Sequence, residues 1–296
     1  MNLKNKSSIL IVGANGIIGS FLRTKLSNDY QITSISKNSD NNEVYSLDLS
    51  DSKKTNNYFK NIKKFDCLIF LVGRAHKKGK RKDLFRYEKT NFKTLKNVIS
   101  SLDKFSILPK KIIFTSTVSV YGEQYDNDIY NENSIVNPQT PYAVTKLMAE
   151  EYLMNNYSER TWILRLAPVY SSDFQLNIDR RTKISKVYYK PGNGKSKLSL
   201  CNIKNINFVV REIILGQIPH GIYNLSDSRI YSYNDLLKYK KIKIYLKIPR
   251  LIIVFVGLVG RALKNQFLIE NSTKLLTNNI YPAKKLKKFV EINEKL

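Results

Sequence analysis

A glycine-rich turn near the N-terminus restricts what this chain can fold into more than any other feature. The apolar run at residues 9–12 leads directly into Gly13, and a helical pattern follows at residues 19–26. A continuous apolar run of this kind is typical of a buried parallel strand. Glycines after such a strand let the backbone approach a dinucleotide pyrophosphate at a helix N-terminus. The turn residues predicted to contact that cofactor are Gly13, Asn15, Gly16, Ile17, Ile18 and Gly19.

Strand-like and helix-like patterns alternate through the N-terminal half of the sequence. Strand patterns lie at residues 31–36, 67–72, 111–116 and 161–166, and helical patterns lie at 87–102 and 141–157. Such alternation predicts βαβ units, and therefore an α/β fold with a doubly wound parallel sheet. The alternation weakens after about residue 169, where proline and glycine punctuate the chain. We therefore expect a dinucleotide-binding domain at 1–170 and a smaller C-terminal lobe at 171–296, with an approximate boundary and interleaved elements.

The chain is strongly basic: its 296 residues include 50 lysines and arginines against 24 acidic residues, a formal net charge of +26. The basic residues are scattered and do not interleave with aromatic residues as they do in a nucleic-acid groove. We therefore predict a lysine-rich, solvated surface and no nucleic-acid partner. A basic field that attracts an anionic small substrate or an anionic membrane surface stays open as the alternative. The two cysteines have no zinc-type spacing and predict neither a metal site nor a disulfide framework.

One apolar segment raises the question of a membrane. Residues 251–259 are uncharged and strongly apolar, and they lie between Arg250 and Arg261. A membrane-spanning helix needs about 20 residues, so this segment is too short to span. It predicts a buried or amphipathic helix, with shallow contact with a bilayer surface as the alternative. The N-terminal residues show no apolar signal-peptide core, so the cytoplasm is the expected location.

The end of the second strand bears on which nicotinamide cofactor is used. A carboxylate about 20 residues after the glycines usually holds the ribose hydroxyls of NAD, whereas here the strand ends in Ser36 and Lys37. A hydroxyl and a cation can accept a 2′-phosphate, which favours NADP or dual use over strict NAD. The alternative is that Lys37 is one more surface lysine. Asp48 and Leu49, after a short strand, are expected to contact the adenine.

A tyrosine and a lysine four residues apart form the strongest candidate for chemistry. Tyr142 and Lys146 lie on one face of the predicted helix at 141–157. A phenol titrates near 10, so proton transfer near neutral pH requires a neighbouring positive charge that stabilises the phenolate. Earlier in the chain, Ser116 and Thr117 offer hydroxyls at a strand end, where one can hydrogen-bond a substrate oxygen. These residues predict proton transfer beside a nicotinamide.

Together these motifs resemble those of the extended short-chain dehydrogenase/reductases, in particular the NAD-dependent epimerase/dehydratase family that acts on nucleotide sugars. Residues 120–122 match the family's VYG element, and Thr117 lies at the position of its catalytic hydroxyl, four residues before that tyrosine. Residues 70–75 and 164–170 match the loop after the fourth strand and the LRPxxVYG element, although Ser171 replaces a glycine. The resemblance implies a Rossmann fold and a homodimer. Further cofactor contacts that it implies are Gly73, Asn91, Pro168 and Val169.

The resemblance also bears on the reaction. The 4,6-dehydratases of the family carry an acidic pair directly after the catalytic threonine, whereas this chain has Val118 and Ser119. Residues 197–206 resemble a segment of 4-keto reductases and their epimerase-like relatives. The resemblance therefore implies an NAD(P)-dependent 4-epimerase or 4-keto reductase, acting at C4 of a UDP-sugar in surface polysaccharide precursor synthesis. A dehydratase, or a non-catalytic NAD(P)-binding regulatory protein, is the alternative.

The same resemblance implies roles within the site. Tyr142 exchanges a proton with the sugar, and Lys146 tunes that tyrosine and holds the nicotinamide ribose. Thr117 aligns the sugar oxygen, with Ser116 beside it. The expected partner is a nucleoside-diphosphate sugar. Its expected contacts are Thr117, Tyr142, His76, Asn177 and Ser199. For His76, a structural role in its loop stays open.

Overall fold

The structure, a computed structural model, describes residues 6–39, 42–74, 81–122 and 128–296 of the chain. Its β-strands, numbered in chain order, are β1 Ser8–Val12, β2 Gln31–Ser36, β3 Tyr45–Ser46, β4 Cys67–Phe70, β5 Lys111–Thr117, β6 Thr161–Leu166, β7 Val169–Tyr170, β8 Lys183–Ile184, β9 Val187–Pro191, β10 Lys197–Leu198, β11 Cys201–Asn202, β12 Gly221–Leu225, β13 Tyr231–Ser232 and β14 Leu246–Ile248. Its α-helices are α1 Ile17–Leu26, α2 Ser52–Phe59, α3 Leu84–Tyr87, α4 Thr94–Lys104, α5 Pro141–Tyr157, α6 Leu176–Thr182, α7 Ile203–Leu215, α8 Tyr233–Tyr239, α9 Arg250–Ala262 and α10 Gln266–Leu276. A π-helical turn, Glu88–Lys93, lies between α3 and α4.

Within the described residues, seven strands form the central sheet, in the order β12–β6–β5–β4–β1–β2–β3. Strand β1 pairs in parallel with both β2 and β4, and β4 pairs in parallel with β5. Val12 at the end of β1 lies opposite Ile35 and Phe70, so the carboxyl ends of these strands share one edge. In a doubly wound sheet, ligands bind at this edge. The doubly wound α/β fold predicted from the sequence is confirmed.

The centre of the sheet is buried on both faces. Strands β1 and β4 are almost wholly buried, which explains their uninterrupted apolar sequences. Helix α4 covers the sheet with one apolar face, whose buried residues at helical spacing are Leu95, Val98, Ile99 and Leu102. These side chains share one core cluster with strand residues such as Phe114. The core thereby fixes the strand ends from which the site residues emerge.

The two predicted helices at 141–157 and 87–102 are present, and the second contains a π-helical turn. The predicted helix at 141–157 is α5, with the same bounds. Thr140 caps it, because its side chain accepts a hydrogen bond from the backbone N–H of Ala143. The predicted helix at 87–102 begins earlier, at α3, and passes through the π-helical turn before α4. Such turns are frequent at functional sites, and this one holds the buried side chain of Asn91.

A buried ion pair connects α5 to two strands of the sheet. The guanidinium of Arg165 on β6 donates to both carboxylate oxygens of Glu150, with Nη2 2.7 Å and Nε 3.0 Å from Oε2. The Ser116 hydroxyl on β5 donates to the same carboxylate. Both charged side chains are almost fully excluded from water, so removal of either charge leaves the other uncompensated. The pair therefore fixes α5, which carries Tyr142 and Lys146, against the sheet.

The chain divides into two compact units that alternate along the sequence. The first unit comprises Met1–Val120, Asn137–Arg165 and Asn207–Tyr223, and the second comprises Tyr121–Val136, Leu166–Ile206 and Asn224–Leu296. The second unit contains small sheets: antiparallel β10–β13, parallel β7–β11 and the three-stranded β14–β9–β8. Each unit is assembled from separate stretches of the chain. The predicted domains at 1–170 and 171–296, with interleaved elements, stay a prediction.

A buried carboxylate organises the second unit. Asp227 accepts hydrogen bonds from the hydroxyls of Tyr170 and Tyr231 at 2.8 and 2.9 Å. It also accepts from the Asn205 amide at 2.8 Å and from the Asn202 backbone N–H at 2.7 Å. Burial raises the pKa of Asp227, and these hydrogen bonds act in the opposite direction. Because the carboxylate is bonded to residues of β7, β11 and β13, it holds these short strands in one arrangement.

The apolar segment at 251–259 belongs to helix α9. The helix is present as predicted, and its buried residues are Ile253, Gly257 and Gly260. Most of its large apolar side chains are exposed, so the buried alternative is excluded and the predicted amphipathic helix remains. Among the helices of the described ranges, none combines the length and the apolarity that crossing a bilayer requires.

We expect Glu150→Ala to lower the free energy of unfolding by about 3–5 kcal/mol, because Arg165 would keep its charge in a buried, unpaired position. Urea-induced unfolding followed by circular dichroism measures the change. The matched control is Glu151→Ala, which removes the exposed neighbour on α5 and should change stability by less than about 0.5 kcal/mol. Equal losses in the two variants would contradict the structural role of the ion pair.

Candidate active site

The glycine-rich turn brings β1, helix α1 and the loop after β4 close together. Gly13 has a positive φ of 90°, and a Cβ atom at this position would lie 3.0 Å from the backbone nitrogen of Val72. A Cβ atom on Gly19 would lie 2.8 Å from the Cα of Ala14. Both positions therefore require glycine. The turn has the close backbone packing that lets a pyrophosphate approach, so its residues fit a dinucleotide cofactor.

Helix α1 presents backbone donors toward this turn. Gly16 occupies its N-cap, and no side chain of the described residues caps the helix there. The first-turn N–H groups of Ile17 and Ile18 lie at such an uncapped helix N-terminus, which favours anions. The backbone N–H of Asn15 donates to the Ser36 hydroxyl at 2.9 Å and so ties the turn to the end of β2. These residues are suited to hold the pyrophosphate.

A cavity of about 390 Å³ opens at the carboxyl ends of β1, β2 and β4. The predicted residues that line it are Gly13, Gly16, Ser36, Lys37, Asp48, Leu49 and Gly73. Lining residues that the sequence did not single out include Arg74, Phe85, Arg86, Lys89 and Thr90. These come from the loop after β4 and from the helical stretch that begins with α3. The sequence signal that could have found these residues is their place in the chain. They follow the end of β4, and the segment after that strand must return along the same edge of the sheet.

Lys37 and Asp48, both predicted to face the adenosine part of the cofactor, form an ion pair. Nζ of the lysine lies 2.9 Å from Oδ2 of the aspartate. Asp48 also accepts a hydrogen bond from the Ser50 hydroxyl at 2.7 Å. Burial raises the pKa of Asp48, but the hydrogen bonds from Ser50 and Lys37 outweigh burial and lower the pKa from 3.8 to about 2. The carboxylate is therefore charged at neutral pH and balances the charge of Lys37.

Gly73 connects this cavity to the predicted catalytic pair. It lines the cavity within the loop that follows β4. A Cβ atom on Gly73 would lie 3.2 Å from Nζ of Lys146 and 3.8 Å from Cε2 of Tyr142. The lysine and the tyrosine thus flank the same backbone position. The cavity and the two side chains therefore form one continuous site within the first unit.

Lys146 is almost fully buried, and backbone carbonyls hold its ammonium group. Nζ donates to the carbonyl oxygens of Thr115 at 2.8 Å and Val72 at 3.1 Å, and it lies 4.5 Å from the ring centre of Phe114. Burial lowers the pKa of Lys146 from 10.5 to about 7, and the Glu150 carboxylate acts in the opposite direction. The charge of Lys146 therefore responds to small changes in its surroundings near neutral pH.

The phenol of Tyr142 lies beside the hydroxyl of Thr117. Burial raises the pKa of Tyr142 from 10.0 to about 12, and the hydrogen bond with the Thr117 hydroxyl opposes this shift. The Thr117 oxygen in turn accepts a hydrogen bond from the Ser119 backbone N–H at 3.2 Å. The sequence predicts a phenol that a neighbouring cation makes more acidic, whereas burial has the larger effect in this structure. Deprotonation of Tyr142 therefore needs positive charge beyond that of the described protein groups.

Asn91, a predicted cofactor contact, bridges two parts of the site. Its Oδ1 accepts a hydrogen bond from the backbone N–H of Arg74 at 2.8 Å. Its amide donates to the Thr145 hydroxyl on α5 at 3.0 Å. Asn91 is fully buried, so these bonds fix the loop after β4 relative to the catalytic helix. Through this loop, Asn91 positions Gly73.

Of the two adjacent hydroxyls predicted to be catalytic, that of Thr117 lies close enough to Tyr142 to oppose the rise that burial causes in the pKa of the phenol. The hydroxyl of Ser116 donates to Glu150 and belongs to the buried ion-pair network. A hydroxyl has a single proton to donate, so this bond uses the donor capacity of Ser116. The structure thus brings Thr117 and Tyr142 together and engages Ser116 elsewhere.

Other predicted residues lie in the second unit. The Asn177 amide donates to the Val169 carbonyl at 2.8 Å, so these two residues are neighbours. The Pro168 carbonyl accepts a hydrogen bond from β11 at 3.1 Å. The buried Ser199 hydroxyl accepts a backbone N–H at 2.9 Å and supports the local fold. His76, the remaining predicted substrate contact, lies outside the described residues.

Comparison with known proteins identifies one family and several relatives. The family model described as NAD dependent epimerase/dehydratase family matches residues 9–206 of this chain. A curated relative from Escherichia coli O157:H7 is N-acetyl-alpha-D-glucosaminyl-diphospho-ditrans,octacis-undecaprenol 4-epimerase. It is 24% identical over 262 residues, which cover 86% of this chain and 77% of the relative.

Solved structures show the same fold at low sequence identity. UDP-Glc/GlcNAc 4-epimerase from Campylobacter jejuni is similar with a TM-score of 0.75 and 20% identity, over 98% of this chain and 94% of the other. WbmG from Bordetella bronchiseptica, in complex with NAD and UDP, is similar with a TM-score of 0.72 and 16% identity, over 97% and 89%. Because the family model matches more than half of its residues, this chain belongs to the NAD-dependent epimerase/dehydratase family.

Proposed function

We propose that this chain is an NAD(P)-dependent 4-epimerase that acts at C4 of a UDP-sugar in surface polysaccharide precursor synthesis. The observation that carries the proposal is the position of Gly73, which lines the cavity and lies against both Lys146 and Tyr142. A dinucleotide site next to a proton-transfer pair is what oxidation and reduction at a carbinol carbon require. The family match supports the same chemistry.

The names of two relatives support C4 as the reacting carbon. The E. coli relative is named as a 4-epimerase of an N-acetylglucosaminyl group on diphospho-undecaprenol. The C. jejuni protein is named as a UDP-Glc/GlcNAc 4-epimerase. Both names combine a sugar diphosphate with reaction at position 4. We therefore propose UDP-N-acetylglucosamine as the first substrate to test, and the same sugar on a polyprenyl diphosphate as the second.

The side chains of the site have separate tasks in this reaction. Tyr142, as a phenolate, would take the proton of the sugar 4-hydroxyl during oxidation and return it during reduction. The charge of Lys146, together with that of an oxidised nicotinamide, would stabilise this phenolate. The Thr117 hydroxyl, which lies beside Tyr142, aligns the same sugar oxygen. The ammonium group of Lys146 lies against Gly73 and donates to the carbonyl oxygens of Val72 and Thr115, and so keeps a cation within the site. The chemistry that a bound nicotinamide supplies is removal and return of hydride at C4.

A 4-keto reductase is the second candidate, because the same residues serve reduction without re-oxidation and residues 197–206 resemble such reductases. A dehydratase is less well supported, because the two residues after Thr117 carry no carboxylate: Val118 is a buried apolar residue, and Ser119 donates its backbone N–H to Thr117.

Incubation of the full chain with UDP-N-acetylglucosamine and a trace of NAD, followed by proton NMR, distinguishes the epimerase from the 4-keto reductase. An epimerase converts the sugar with catalytic cofactor, whereas a reductase consumes one reduced cofactor for each 4-keto sugar.

We propose that the lobe at 171–296 holds the sugar nucleotide, with Asn177 and Ser199 among its contacts. The family resemblance supports this proposal, as it does the proposed contacts of Pro168 and Val169 with the nicotinamide. The resemblance also supports a homodimer. Sedimentation equilibrium of the full chain would measure its mass.

We expect Tyr142→Phe to lower kcat by about 10²- to 10⁴-fold, the usual contribution of a positioned proton-transfer group. KM should change little, since the aromatic ring keeps its packing. Initial rates of C4 epimerisation, followed by NMR, measure both constants. Tyr239→Phe, which alters an exposed tyrosine of the second unit, is the control and should keep full activity. Full turnover by Tyr142→Phe would remove this tyrosine from the mechanism.

The ion pair of Lys37 with Asp48 argues against the sequence-based expectation of NADP or dual use. We also propose that the chain prefers NAD to NADP, because a 2′-phosphate at Lys37 would meet the charged carboxylate of Asp48. Asp48→Asn should improve NADP binding relative to NAD by about threefold to fivefold, the scale of one exposed ion pair. Fluorescence titration of the reduced cofactors measures the two dissociation constants. Asp29→Asn removes a carboxylate outside the cavity lining and should leave their ratio unchanged. An unchanged ratio in Asp48→Asn would mean that Lys37 does not face the 2′ position.

A further inference from the structure

Helix α9 buries small residues and exposes large apolar ones. Its buried residues are Ile253, Gly257 and Gly260. Its exposed apolar side chains, between 37% and 82% accessible, are Leu251, Ile252, Val254, Phe255, Val256 and Leu258. We call these six side chains the α9 apolar face. A surface helix of a water-soluble domain normally has the opposite distribution, with its large apolar side chains turned to the core.

The packing of α9 against α10 explains this distribution. A Cβ atom on Gly260 would lie 2.8 Å from Cβ of Leu268 and 3.1 Å from the backbone nitrogen of Ile269, so the two helices approach closely at a glycine. The buried residues of α10 are polar, namely Glu270, Ser272 and Thr273. A glycine at a close helix–helix contact is typical of helices that pack within lipid. The large apolar residues of α9 are thereby left on the outside of the pair.

The stretch of chain that contains α9 carries only positive charge. Between residues 241 and 269 the chain has six cationic residues and no acidic one. All six are exposed: Lys241, Lys243, Lys247, Arg250, Arg261 and Lys264. This combination matches an anionic bilayer surface, where apolar acyl chains lie beneath negatively charged headgroups. A second copy of the chain would bring the same positive charge against itself, so charge disfavours that occupant.

The length of α9 fits attachment to a bilayer surface. Its 13 residues extend about 20 Å at about 1.5 Å per residue, whereas the hydrocarbon core is about 30 Å thick. Leu251 and Phe255 are four residues apart and therefore neighbours on the helix surface. Side chains in this arrangement can enter the boundary between headgroups and acyl chains together.

We propose that the α9 apolar face docks on the surface of an anionic lipid bilayer, with the surrounding lysines and arginines at the headgroups. The proposal goes beyond the proposed epimerase activity and does not depend on it. It assigns a reversible membrane contact to the second unit, made by a helix that lies along the bilayer surface.

Co-sedimentation of the full chain with large vesicles tests this proposal. The probes are vesicles of phosphatidylcholine alone and vesicles that also contain phosphatidylglycerol. We expect binding to the anionic vesicles and much weaker binding to the neutral ones. Binding should fall as salt is added, because screening shortens the reach of the charges to about 10 Å at 0.1 M. Absence of binding to anionic vesicles at low salt would overturn the proposal.

A double substitution on the α9 apolar face separates it from the overall charge. Leu251→Asp/Phe255→Asp should lower the partition coefficient at least about tenfold, because it places charges on the inserted side. The matched control is Ile135→Asp/Leu215→Asp, since Ile135 is 82% exposed like Leu251, and Leu215 is 61% exposed against 65% for Phe255. The control changes net charge equally and should lower the coefficient by less than about twofold. Equal losses in both double variants would overturn the proposal.

A second double variant reverses the charge of two cationic residues at or near the start of α9 and leaves the α9 apolar face unchanged. Lys247→Glu/Arg250→Glu should weaken binding several-fold more than Lys53→Glu/Lys54→Glu, which reverses exposed lysines on α2. Sedimentation velocity without vesicles and circular dichroism accompany every variant. If Leu251→Asp/Phe255→Asp keeps its fold but converts a dimer to a monomer, a second copy covers the face and the proposal is wrong.

Discussion

The buried ammonium group of Lys146 holds the parts of the active site together. It donates to a carbonyl in the loop after β4 and to another in β5, while its own backbone lies on α5. A buried ammonium without these acceptors would be strongly destabilising, so the three elements are kept in one arrangement. One turn later, Glu150 fixes the same helix through Arg165 and also favours the charged form of Lys146. Structural support and chemical reactivity thus depend on the same buried charge.

Two partly or fully buried carboxylates of the described residues have nearby partners, whereas most large apolar side chains of α9 are exposed. Lys37 balances Asp48 in the cavity wall, and four hydrogen-bond donors surround Asp227. On α9 the residues that are covered include Gly257 and Gly260, and the large apolar side chains face outward. Full burial of one such side chain contributes about 1.5–3 kcal/mol, so α9 leaves a substantial contribution unused within the described structure. A bilayer surface would supply that burial.

Local sequence patterns were sufficient for the fold class and for the main motifs. Apolar runs and helical spacing depend on neighbours in the chain, which is why the helix predicted at 141–157 coincides with α5. The glycine turn was also evident, because Gly13 follows a buried strand directly. The spacing of Tyr142 and Lys146 places them on one helical face whatever their tertiary contacts. The exposed face of α9 shows the limit, since the apolar run at 251–259 indicates a helix but not what covers it.

The sequence by itself determined the strand–helix order, the glycine turn and the tyrosine–lysine pair, since each follows from local spacing. Only the tertiary structure decided which of two adjacent hydroxyls faces Tyr142, because Ser116 meets Glu150 from a distant helix. It likewise paired Lys37 with Asp48 and brought Phe85 into the cavity wall. These contacts join residues far apart in sequence. They depend on how strands pair and how deeply groups are buried, and neither is encoded in the spacing of neighbours.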